Sequence, residues 1–255
     1  MEPELLGLLL AVALAAGWID AVVGGGGLLL LPALLVGAPQ APLATLLGTN
    51  KLASVFGTTS AALTYARKVR IRPRVVVPTA LLALVGSGLG AGLATALTSE
   101  VLQPVIMVVL AGVALMVYFR PTMGAAPDPG LDTRNRLLAT IALAGLGISF
   151  YDGLIGPGTG VFLIIALTAV LGLDFVTASA TAKIVNACTN LGALVVFAVG
   201  GHIDWVLGLT LAACTIVGAQ IGARTALERG SGFVRAVLLV VVLALLLRMG
   251  WDLFA

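Results

Sequence analysis

Four charged residues lie inside otherwise apolar stretches of this sequence, and their side chains are the ones most able to do chemistry. Asp20 and Asp152 are carboxylates, whereas Lys51 and Lys183 are amines. Ionisable groups in apolar membrane segments are rare, and they usually face the protein interior or a wet cavity. A buried lysine can bind an anion. For the two aspartates the sequence leaves three roles open: proton coupling, capping of a helix, and neutralisation of the lysines in structural ion pairs.

These four residues obey one spacing. The same 132 positions separate Asp20 from Asp152 and Lys51 from Lys183. The spacing also relates Gly24 to Gly156, so it extends beyond the charged residues. Because lysines and intramembrane acids are scarce in this chain, the shared offset indicates two copies of one structural unit.

Each copy contains a glycine-rich interruption just after its aspartate. Residues 17–32 read GWIDAVVGGGGLLLLP, and residues 149–164 read SFYDGLIGPGTGVFLI. Glycine costs about 1 kcal/mol relative to alanine in a helix interior, so these stretches predict broken helices. A helix that starts inside the membrane presents unpaired N–H groups and a partial positive charge, which favour an anion. The candidate backbone donors are Gly25, Gly26, Gly27, Gly158 and Thr159.

Polar residues follow the lysines at helical spacing. Residues at i, i+3 and i+7 share one helix face, so each copy presents a polar stripe that begins at its lysine. Hydrogen bonds between helices are the alternative explanation for these polar side chains. The candidate substrate-binding side chains are Lys51, Lys183, Asn50, Ser54, Thr58, Asn186 and Asn190.

The composition predicts an all-α, polytopic membrane protein. The 255 residues are 60% hydrophobic and only 10% charged, and the mean hydropathy is +1.15. Soluble domains carry about 25% charged residues. We predict two inverted repeats of about five segments each, at 1–123 and 136–255, joined by a cytoplasmic linker at 124–135. The lipid bilayer is the expected environment, and nothing indicates a nucleic-acid partner.

The distribution of basic residues predicts the orientation of the repeats. Basic loops are retained on the cytoplasmic side of a membrane, so we place loops 67–74, 120–136 and 224–235 there. The second-copy counterpart of loop 67–74 is 199–206, which contains no Lys or Arg. This reversal of charge between the copies predicts that they insert in opposite orientations in the inner (cytoplasmic) membrane.

The glycine-rich motif resembles that of a known transporter family. The stretches GGGGLLLLPAL, GPGTGVFLIIAL and TLLGTNKLASVFGT are similar to the sulfite exporter TauE/SafE family. The resemblance covers essentially the whole chain. It implies a membrane transporter whose substrate is a small sulfur-containing anion, such as sulfite or an organosulfonate.

We therefore expect a secondary transporter that works by alternating access, with its site between the repeats and with proton coupling through Asp20 or Asp152. A passive anion channel is the alternative. We expect no enzyme activity, because the sole histidine, His202, lies in a loop and no nucleophile accompanies it. We also expect no metal and no cofactor, and a homodimer is compatible with the sequence.

Overall fold

The computed structural model describes residues 3–94 and 124–254, with side chains described up to residue 244. Within these ranges the chain is helical and has no strand. The first half contains α1 (Pro3–Val23), α2 (Gly27–Gly37), α3 (Leu43–Ala66) and α4 (Pro73–Ala94). The second half begins with a short 3₁₀ turn at Pro129–Leu131 and continues with α5 (Arg134–Leu154), α6 (Thr159–Leu171), α7 (Phe175–Val199) and α8 (Trp205–Phe254).

The helices confirm the predicted fold class. In the described part of the chain, five helices are long and apolar enough to cross a membrane, namely α1, α4, α5, α7 and the Trp205–Ala244 portion of α8. By contrast, α2 has 11 residues and α6 has 13. At 1.5 Å per residue these two helices are about 16 and 20 Å long, which is shorter than the hydrocarbon core.

The predicted glycine breaks are also confirmed. Helix α1 ends at Val23 and α2 begins at Gly27, while α5 ends at Leu154 and α6 begins at Thr159. Gly24 and Gly158 have φ values of +82° and +88°, in the left-handed region. Only glycine enters this region without a steric cost from Cβ, so the residue type itself ends the helix here.

The last two apolar runs of the sequence form a single element in the structure. Helix α8 contains an interior break at Gly230, with φ 73° and ψ −170°. This break separates the runs at 203–223 and 233–253, so the second half has five segments. The corresponding fifth run of the first half, at 101–119, lies outside the described residues.

The long helices at the ends of each half pack against helices of the other half. Helix α1 of the first half packs along α8 of the second, and α4 packs along α5. Glycines allow the close approach: a Cβ on Gly218 would lie 2.0 Å from the Leu14 carbonyl oxygen, and a Cβ on Gly86 would lie 3.3 Å from that of Leu146. These two contacts are related by the 132-residue offset.

Candidate functional site

Two buried ion pairs join the halves. Lys51 Nζ lies 2.6 Å from Asp152 Oδ2, and both side chains are only 3% exposed. Lys183 Nζ lies 3.1 Å from Asp20 Oδ2, and it also donates to the backbone carbonyl oxygen of Asp20. Each lysine therefore pairs with the carboxylate of the other half, so the two pairs are equivalents under the offset.

The helix breaks position the carboxylates. Asp20 lies in the last turn of α1 and Asp152 in the last turn of α5. The lysines come from α3 and α7, which pack against each other in the middle of the protein. The Asp20 carboxylate additionally accepts a hydrogen bond from the Gly26 N–H, at 3.4 Å. Ion pairing and local capping, two of the roles left open by the sequence, thus coexist at Asp20.

The two breaks touch each other. A Cβ on Gly24 would lie 2.1 Å from the Cα of Gly160, and a Cβ on Gly160 would lie 2.2 Å from the Cα of Gly24. Both residues are buried. Backbone therefore packs directly on backbone between the break of the first half and the start of α6.

A small cavity lies between the breaks and the two long helices α3 and α7. Its volume is about 20 Å³, which is room for about one water molecule. The predicted site residues that line it are Asp20, Gly27, Asn50, Lys51, Ser54, Asp152, Thr159, Asn186 and Asn190. The structure thus gathers residues from both polar stripes and both breaks around one point.

A second cavity, of about 10 Å³, lies beside the first. It contains the predicted residues Thr58 and Gly26, together with Thr215 from α8. Asp20 and Ser54 line both cavities. Of the two aspartates, Asp20 therefore borders both of these cavities, whereas Asp152 borders the central cavity alone.

Three predicted residues lie outside the lining of these cavities. Gly25 packs against the side chains of Val241 and Ile19. Gly158 forms the N-cap of α6 and has only side-chain atoms, at 3.8 Å or more, near its Cβ position. The Lys183 amine is fully buried against Asp20 and reaches the site through that residue.

Two asparagine side chains at the central cavity differ in their hydrogen bonding. The Asn50 side-chain oxygen is buried and has no hydrogen-bond partner among the described residues. In contrast, the Asn186 side-chain oxygen accepts a hydrogen bond from Thr189 Oγ1, at 3.1 Å. A buried polar atom without a partner is costly unless a water or ligand contacts it. The unpaired Asn50 oxygen therefore indicates that a small polar molecule can bind at this position.

The sequence analysis missed three glycines that line the central cavity: Gly24, Gly156 and Gly160. For Gly24 and Gly156 the signal was available, because they are equivalent under the offset. Gly160 corresponds to Leu28, so the repeat gave no indication of its role. Its importance follows from the contact with Gly24, which only the packing of the two breaks reveals.

Comparison with known proteins decides the family. The family model described as "Sulfite exporter TauE/SafE" matches residues 9–249. The chain belongs to this family. It is 38% identical to a probable membrane transporter protein of Sinorhizobium sp. over 98% of this chain and 94% of that protein. It is 32% identical to the probable membrane transporter protein YfcA of Escherichia coli, over 99% of this chain and 92% of that protein. No solved structure matches.

As a TauE/SafE family member, the protein is a multi-pass membrane transporter, a class that is distinct from enzymes. The arrangement at its centre can bind an anion or hold a proton. Two amines offer positive charge, and the N-terminal ends of α2 and α6 begin beside them. Two carboxylates currently occupy the positions at which an anion would neutralise those amines.

Proposed function

We propose that this TauE/SafE protein is a secondary transporter that moves a small sulfur-containing anion, sulfite or an organosulfonate, across the cytoplasmic membrane by alternating access. One observation carries the proposal. Two lysine–aspartate pairs join the halves beside one cavity where the two helix breaks touch, and Lys51 and both aspartates line that cavity. The description of the family, which names sulfite export, supports the substrate class.

The substrate would bind by replacing a carboxylate. A sulfite or sulfonate group carries negative charge on oxygen atoms, as does the Asp20 side chain that now contacts Lys183 at 3.1 Å and borders both cavities. When that carboxylate moves away, the anion takes its place on the amine. The Gly27 N–H and the amide of Asn190 lie at the cavity and would complete the shell, whereas the Thr159 N–H already donates to the Gly156 carbonyl oxygen.

Proton coupling follows from the same competition. Protonation removes the charge of an aspartate, and its lysine is then left without a counter-ion in a site of low dielectric. An unpaired buried charge is strongly unfavourable, so the site gains affinity for an anion as the carboxylate is neutralised. The anion and the proton would therefore bind together.

The size of the central cavity favours a carrier over a passive channel. A space of about 20 Å³ holds about one water molecule and is too small for a sulfonate. A carrier passes through a closed state of this kind in each cycle, whereas an open channel contains a continuous pore. Binding in this proposal requires the two breaks to separate.

The decisive experiment is transport in proteoliposomes. Radiolabelled sulfite, taurine and isethionate should show saturable uptake and counterflow, which a channel does not give. Lys51→Met and Lys183→Met should each reduce uptake at least tenfold. Lys68→Met is the matched control, because Lys68 is the third lysine of the chain and is exposed in loop 67–74. Equal activity in all three variants would refute the role of the buried lysines.

A further inference from the structure

A second charged cavity lies away from the central site, at the loop between α3 and α4. It has a volume of about 580 Å³ and is lined by three arginines, Arg70, Arg72 and Arg74. The N-terminal end of α7, at Asp174 and Thr177, also lines it. Cavities of about 300–1,000 Å³ are typical of small-ligand sites. The size is therefore suitable for a ligand, in contrast to the central cavity.

The acids near this cavity already have partners. Asp132 of the linker accepts from Arg72 Nη1 at 2.6 Å and also from Arg74. The Asp174 carboxylate accepts from the Thr177 N–H at 3.0 Å and from Ser231 Oγ at 3.3 Å. Arg70 makes no hydrogen bond or ion pair within the described ranges. The three arginines outnumber Asp132 and Asp174 by one, so these five residues carry a net positive charge, and Arg70 is the arginine without an ion pair among the described residues.

The position of Asp132 shows how an anion would sit. One carboxylate oxygen is shared by the guanidinium groups of Arg72 and Arg74, whose side chains are 38% and 59% exposed. Guanidinium groups present a planar fork of donors that matches carboxylate and phosphate oxygens. Asp132 occupies one such position, and Arg70 extends the donor set into the open part of the cavity.

The geometry points to a binding site for a tetrahedral oxyanion at this cavity, formed by Arg70 together with Arg72 and Arg74. The ligand class is phosphate or sulfate, either as a free ion or as the phosphate of an anionic lipid headgroup. The counterpart loop of the second half, 199–206, has no arginine or lysine, so that loop does not repeat the site. This inference does not depend on the transported substrate.

The test uses the full-length protein and a matched pair of variants. Arg70→Gln removes the unpaired guanidinium, whereas Arg67→Gln removes an equally exposed charge of the same loop that does not line the cavity. Binding of inorganic phosphate to detergent-purified protein is measured by phosphorus NMR line broadening. Retention of phosphatidylglycerol against phosphatidylcholine is measured by native mass spectrometry.

We expect Arg70→Gln to weaken binding at least fivefold and Arg67→Gln to change it less than twofold. Asp132→Asn should strengthen binding, because it frees two guanidinium groups. Binding of phosphate alone identifies a free ion as the ligand, and retention of phosphatidylglycerol alone identifies a lipid. Equal losses in the two arginine variants, or no binding of either probe, would overturn the site.

The same measurements separate this site from the proposed transport site. Lys183→Met should leave phosphate line broadening and lipid retention unchanged, because Lys183 does not line the cavity of the loop arginines. Loss of both signals in Lys183→Met would assign the binding to the central site and overturn the proposal. Failure of sulfite transport would leave it unaffected.

Discussion

The two ion pairs are equivalent by sequence offset but differ in their surroundings. The Lys51–Asp152 pair is short and closed, with both side chains 3% exposed. In the Lys183–Asp20 pair the acid is 15% exposed, borders two cavities and also accepts from the Gly26 N–H. The Asp20 carboxylate is more exposed and borders more space, so it has more room to move away from its lysine. We therefore expect Asp20 to exchange with the anion during transport and Asp152 to have a structural role.

The largest expected effect is a difference in protein stability between variants of the two ion pairs. Lys51→Met leaves the Asp152 carboxylate buried without a counter-ion, which costs about 3–5 kcal/mol of unfolding free energy. Lys183→Met leaves Asp20 with the Gly26 N–H and partial access to space, so we expect a smaller loss, of about 1–3 kcal/mol. The measurement is unfolding by SDS in mixed micelles.

A double variant provides the control for this comparison. Lys51→Met with Asp152→Leu removes both charges, and replacing a buried ion pair by apolar residues is often neutral. The double variant should therefore recover most of the stability lost in Lys51→Met. If the two single lysine variants lose the same stability, the two pairs are equivalent and the comparison fails.

The second-largest loss of stability is expected when the contact between the two breaks is disrupted. Gly24→Ala places a methyl group 2.1 Å from the Gly160 Cα and requires a left-handed φ, so we expect a loss of about 2–4 kcal/mol. Gly27→Ala is the matched control in the same glycine run, because its nearest neighbours lie at 3.7 Å. We expect Gly27→Ala to change the SDS unfolding free energy by less than about 1 kcal/mol. Equal losses would show that the two breaks do not constrain each other.

The response to a proton gradient should separate the two acids. In the proposed coupling, neutralisation of Asp20 releases Lys183 for the anion, so an inward proton gradient should accelerate uptake of isethionate, whose own charge is constant. Asp20→Asn removes the exchangeable carboxyl group and should abolish this acceleration. Asp152→Asn should keep the acceleration at a lower overall rate. Loss of the acceleration in Asp152→Asn alone would reverse the assignment.

The smallest effect concerns the polar stripes. The Thr58 hydroxyl already donates to the backbone oxygens of Ser54 and Val55. The Asn190 side chain lines the central cavity. Asn190→Ala should raise the KM for uptake roughly fivefold, since a bond to a charged ligand contributes ~1.5–3 kcal/mol before compensation. Thr58→Ala should leave KM within twofold.

The sequence predicted the helical membrane fold, the breaks and the buried charges, because glycine runs and intramembrane acids have strong local physical consequences. It did not predict which charges meet. An offset identifies equivalent residues, whereas the pairing of Lys51 with Asp152 depends on how α3 packs on α7 and α5. The role of Gly160 was missed for the same reason, since its partner is a residue of the other break.

The exchange of counter-ions between the halves has an evolutionary consequence. In this structure the lysine of each half pairs with the aspartate of the other half. If the halves arose by duplication, as the 132-residue offset predicts, a single ancestral unit needed a second copy before its charges could be paired in this way.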